Sequence, residues 1–171
     1  MPENQDTLLA LAEIATAFAG FAALVSVIPR GENRTATPAH DLLRLRLVIS
    51  GGVAGVVAAI LPLGLSGFIG STDLVWRLSA VAFLLLDNSV IWSFLGAYEP
   101  VRGSFPPDRL AVTIFMSLEV IEQVGLLAVL LGLGPWSPAD VYVAALTANL
   151  VQAGFIFVRF VGSAFYFESG E

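Results

Sequence analysis

Residues 110–133 read LAVTIFMSLEVIEQVGLLAVLLGL. As a helix rising 1.5 Å per residue, this stretch is about 36 Å long and crosses the roughly 30 Å hydrocarbon layer of a bilayer. Its only charged residues, Glu119 and Glu122, stand near its middle beside Gln123. An ionised carboxylate at that depth costs several kcal/mol. The stretch therefore places the chain in a membrane and puts acids where lipid tolerates them least.

Four further stretches share this character. They are residues 8–28, interrupted by Glu13; 47–68, rich in glycine and alanine; 74–97, with Asp87 and Asn88; and 141–161, with Asn149, Gln152 and Arg159. The whole 171-residue chain is 57% hydrophobic and 13% charged, with a mean hydropathy of +0.84. A water-soluble domain is about a quarter charged, and a small one has too much surface to cover with half that. The expected fold is all-α, a single polytopic bundle of five transmembrane helices.

The joints carry helix punctuation. Ser137-Pro138-Ala139-Asp140 offers a hydroxyl cap, a proline at the first helical position and a carboxylate in the first turn. Thr37-Pro38, Ser71-Thr72-Asp73 and Pro107-Asp108 start the second, third and fourth helices in the same manner, and Pro29-Arg30-Gly31 ends the first. The acidic start, Met1 to Asp6, lacks the basic region of a cleaved signal, so the first span is expected to stay.

Arginine placement sets the orientation. Arg30, Arg34, Arg44, Arg46, Arg102, Arg109 and Arg159 fall on one side of a five-span chain, and Arg77 alone on the other. The expectation is a multi-pass protein of a bacterial inner membrane, N-terminus outside and C-terminus cytoplasmic. Trp76 and Trp136 then belong to the outer aromatic belt, and Tyr98, Phe165 and Tyr166 to the inner one.

What is missing narrows the chemistry. The basic residues are all arginine, so a lysine Schiff base is excluded. Without cysteine there is no disulfide or thiolate chemistry, and one loop histidine, His40, cannot build a haem or histidine–zinc site. No cofactor and no metal are expected on these grounds. A net charge of −6 with no basic face gives nucleic acid nothing to bind.

The short turn around Gly134-Pro135-Trp136 makes the last two helices antiparallel neighbours. Counting outward from Pro135, Glu122 is level with Asn149, and Glu119 with Gln152. Asp87 and Asn88 reach a similar depth on the third helix. The spacing predicts one mid-membrane polar layer: Asp87, Asn88, Glu119, Glu122, Asn149 and Gln152. Its acids are either protonated and hydrogen-bonded to the amides, or hold a cation, or line a wetted path.

Three other features belong to packing and anchoring. Glu13 and Arg77 lie at similar depth near the outer end and are expected to pair. Gly51, Gly55, Ala58 and Pro62 form a small-residue ridge on the second helix, suited to close helix packing within the bundle or across a homo-oligomer. Thr37 to Arg46 reads as an amphipathic extension of that helix, with Arg44 and Arg46 touching lipid head groups at about 1 kcal/mol each. The aromatic rings of the last helix, Phe155, Phe157 and Phe160 among them, lie on several of its sides and point to lipid or partner contact.

Gly64-Leu65-Ser66-Gly67 matches the GxSG of rhomboid-type serine proteases, but no span supplies a histidine base. No GxGD surrounds Asp87 either, so a protease is rejected. The leading expectation is a structural or accessory subunit of a membrane assembly, partnered by lipid and by copies of itself or other subunits. A proton or cation channel or transporter using the buried carboxylates is the alternative. A membrane-embedded lipid-modifying enzyme ranks third, because its acids would belong at the membrane surface. The chain is not expected to be an enzyme.

Overall fold

A computed structural model describes residues 4–27, 39–103 and 108–165. The element order is α1 (Gln5–Val27), α2 (Ala39–Ser66), α3 (Thr72–Tyr98), α4 (Arg109–Leu131) and α5 (Pro138–Phe165), with a 3-10 turn at Glu99–Val101 after α3. All five helices are long and apolar enough to cross a membrane. The expected ends at Pro29-Arg30-Gly31 and Thr37-Pro38, together with Arg30 and Arg34, lie outside the described residues, as does Tyr166. Helix α2 begins eight residues ahead of its apolar run, which fits the expected extension through Arg44 and Arg46.

The caps follow local chemistry. Ser71 accepts from the Leu74 N–H at the start of α3, and Asp108 accepts from the Leu110 N–H at the start of α4. Pro138 opens α5, where its missing N–H costs nothing. Helix α4 stops at Gly132, whose left-handed φ of 66° an L side chain would resist.

Helix α2 packs against α1, α3 and α5, α4 joins α3 to α5, and α1 also touches α5. The α1–α2 seam is built from small residues. Ala15 and Ala19 of α1 lie against Gly52 of α2, and Ala15 also against Gly55. A Cβ added at Gly52 would sit 3.0 Å from the Ala15 carbonyl and 3.1 Å from the Ala19 Cβ, so only glycine permits that approach. The expected ridge holds at Gly55, Ala58 and Pro62 and differs at one position. Gly55 and Ala58 are inside, but Gly51 faces open space and Gly52 takes its place.

Pro62 lies inside α2 and carries no N–H, which leaves the Ala58 carbonyl, one turn back, without its helical donor. The Tyr142 hydroxyl of α5 donates to that carbonyl at 2.7 Å. In an apolar bundle an orphaned carbonyl must find such a partner. This bond ties α5 to α2.

Tyr142 also joins Trp76 and Phe83 in an aromatic cluster, with ring centroids 5.5 and 6.0 Å from its own. Trp76 is only 2% exposed, so it is a core residue and not part of the aromatic belt. Trp136 is 71% exposed, as a belt residue would be. Phe160 is likewise buried inside the bundle, while half-buried Phe157 stacks obliquely on Phe18 of α1.

Candidate functional site

Asp87 and Asn88 stand midway along α3, Glu119, Glu122 and Gln123 midway along α4, and Asn149 and Gln152 midway along α5. Among them Asp87, Glu119, Glu122, Asn149 and Gln152 are buried, in helices that otherwise turn apolar side chains outward. Residues i and i+3 share a helix face, which turns Glu119 and Glu122 together toward α5 and α3. The Glu119–Gln152 match is present: Gln152 Nε2 donates to Glu119 Oε2 at 3.1 Å and to the Phe115 carbonyl at 3.0 Å. Asn149 lies against Glu122, and its Oδ1, like both Glu122 oxygens, is buried without a hydrogen-bond partner.

The hub of the layer is Gln123, a residue the sequence reading left out. Its Nε2 donates to Asp87 Oδ2 and to Glu119 Oε1, each at 2.8 Å, and its Oε1 accepts from Asn88 Nδ2 at 3.3 Å. Asn88 Nδ2 also donates to the Leu84 carbonyl, closing one turn of its own helix. The available signal was spacing: Gln123 is four residues beyond Glu119 and so shares its face.

Oxygens of Asp87, Glu119 and Glu122 all lie within 4.8 Å of one another. Glu119 and Asp87 are met by amide N–H groups. Glu122 is not: its residue is 0% exposed, and neither carboxyl oxygen has a hydrogen-bond partner. No arginine or histidine forms an ion pair with any of the three among the described residues. Three carboxyl groups thus share one pocket without a balancing cationic side chain.

The surroundings differ on the two sides of this layer. Toward the α4–α5 turn stands the Trp76–Phe83–Tyr142 cluster, itself fully packed. Toward the other end, a cleft of about 250 Å³ opens between α2 and α3, lined by Arg46, Leu47, Ser50, Ser89, Val90 and Ser93. Arg46 donates to Ser93 Oγ at 2.7 Å across it.

The expected Glu13–Arg77 pair is absent. Arg77 Nε lies 2.8 Å from Asp73 Oδ2, one turn back on its own helix, while Glu13 is exposed on the outer wall of α1. Similar depth was not enough, because α2 lies between α1 and α3. An ion pair that the spacing did not suggest joins Arg159 of α5 to Asp108 at the start of α4, at 2.9 Å. Arg159 and the Leu110 N–H hold the Asp108 carboxyl below the usual carboxylate range. Ser66, the serine of GxSG, donates to the Leu63 carbonyl at the end of α2 and meets no base.

No protein family, curated protein or solved structure matches the chain.

Proposed function

We propose that this chain is a small membrane protein that handles protons or cations at the Asp87–Glu119–Glu122 cluster. One observation carries the reading: Glu122 is fully buried, beside two other carboxyl groups, with both oxygens unpartnered. Carboxylates in a low-dielectric bundle without a cationic side chain must hold protons or a cation. The layer supplies the means for exchange, because Gln123 and Gln152 present N–H donors to whichever oxygens are charged. The serine-lined cleft on the arginine-rich side is the natural approach for water.

The arginine distribution supports an N-terminus outside and a C-terminus in the cytoplasm, in the inner membrane of a bacterium. Among the described residues no nucleophile–base pair accompanies the acids, which favours ion handling over nucleophilic catalysis.

A second reading, a subunit of a larger membrane assembly, draws on Glu13. Ionisable groups in a bilayer face protein or water, yet Glu13 is on the outer wall of α1 among Leu9, Ile14 and Phe21. A second copy or another subunit covering that wall would remove the mismatch.

The test is ion flux into proteoliposomes holding the purified chain. Flux is expected with the native protein and at least tenfold less with Glu119→Gln plus Glu122→Gln, given equal folding. Equal flux from both would dismiss the reading.

A further inference from the structure

We infer that Asp87, Glu119 and Glu122 together bind one hard divalent cation of calcium or manganese size. This rests on the ion-handling reading above and names the ion that the site takes.

Three arguments converge. The first is spacing. Two oxygens bound to one ion at 2.3–2.6 Å are at most about 5 Å apart, and the three carboxyl oxygens lie within 4.8 Å of one another. The second is the unpartnered Glu122. Gln123 and Gln152 satisfy oxygens of Asp87 and Glu119, whereas Glu122 offers one oxygen to the cluster and neither of its buried oxygens has a hydrogen-bond partner. Fully buried polar atoms in that condition are rare, and an ion at the centre of the ring supplies a partner to the Glu122 oxygen that faces it.

The third is charge. Two of the three carboxyl groups, Asp87 and Glu119, accept amide N–H bonds, which is how an anionic carboxylate is held. Two negative charges are matched by one divalent ion, with Glu122 retaining its proton and ligating through its carbonyl oxygen. The fully protonated cluster is also neutral. Exchange of one divalent cation for two protons therefore leaves the site uncharged on both sides of the reaction, which a low-dielectric interior requires. Carboxylate ligands release their protons on binding a metal in this way. The other titratable group facing the cluster is the Tyr142 phenol of α5, and its O–H is given to the Ala58 carbonyl. Neither α1 nor α2 turns a titratable side chain toward it among the described residues.

The experiment uses the full chain purified in detergent at neutral pH. Millimolar calcium or manganese chloride is expected to raise the thermal unfolding midpoint by about 5 °C, and sodium chloride at equal ionic strength to leave it unchanged. In weak buffer each bound ion should release about two protons. Asp87→Asn, which removes one of the two ligand charges, should weaken binding at least tenfold. A manganese titration followed by electron spin resonance on the native chain reports the bound ion even if that variant fails to fold. No divalent-specific shift and no bound manganese would overturn the site. An undiminished shift in both Asp87→Asn and Glu119→Gln would overturn it too, by placing the ion elsewhere. Proton flux without cation binding would refute this inference and leave the ion-handling reading standing. Cation binding without any flux would uphold the site and refute transport.

Discussion

The seam between α1 and α2 and the seam joining α3, α4 and α5 hold helices together by opposite means. The first uses absence: glycine and alanine remove side-chain bulk until backbone meets side chain at van der Waals distance. The second uses polar groups: two acids, an asparagine and two glutamines are bonded across three helices, with Glu122 buried beside them. Both meet the same requirement, since lipid offers no hydrophobic drive for helices to associate. The small-residue seam stabilises and does nothing more. The polar seam is costlier to bury and carries groups that can exchange a proton or hold an ion.

The sharpest way to break this contrast is steric. Gly52→Val should cost about 3 kcal/mol, because its Cβ would meet the Ala15 backbone carbonyl, which cannot move aside. Gly51→Val, one residue away in open space, should change stability by less than about 0.5 kcal/mol. Thermal unfolding in detergent separates the two. Equal losses would mean that the ridge of α2 is misassigned.

Next in size is the bond that bridges the two seams. Tyr142→Phe strands the Ala58 carbonyl freed by Pro62 and should cost about 2 kcal/mol. Adding Pro62→Ala restores an N–H to that carbonyl, so most of the loss should return in the double variant. A simple sum of the two effects would show that the residues are uncoupled. Gln123→Leu, which removes both amide bonds to the acids, should cost about 1–2 kcal/mol by the same assay.

Glu119→Gln with Glu122→Gln should alter folding by less than about 1 kcal/mol, since amides keep most of the hydrogen bonding. Collapse of the bundle would instead mean that charge on these groups is required for the fold. The smallest effect lies outside the membrane. Asp108 is held low by Arg159, so its contribution to stability is present above the ordinary aspartate value near 4 and is lost as pH falls through its lowered folded-state value. Asp108→Asn should remove that pH dependence and little else, as acid titrations of the unfolding midpoint would record.

These expectations rest on what the sequence made visible and what it hid. The five spans were legible because lipid selects long apolar runs, and that signal survives without any structure. The Glu119–Gln152 match was legible too, because a short turn fixes the relative depth of two antiparallel helices. Which way a side chain faces was harder to read. In a membrane the inner and outer faces of a helix are both apolar, so periodicity does not separate them. Trp76 is therefore packed inside where a belt position was expected, and Gly52, not Gly51, meets α1. Depth alone also paired Glu13 with Arg77 although α2 stands between them. Gln123 was overlooked for a related reason: as the neighbour of Glu122 it turns about 100° away, toward α3, where only the partner helix reveals its use.

Labelling by a lipid-soluble carbodiimide, read residue by residue by mass spectrometry in intact membranes, tests most directly which acids face inward. The account predicts that Glu13, on the outer wall of α1, is modified readily while Glu119 and Glu122 are protected. Rapid modification of Glu119 and Glu122 with Glu13 spared would contradict it.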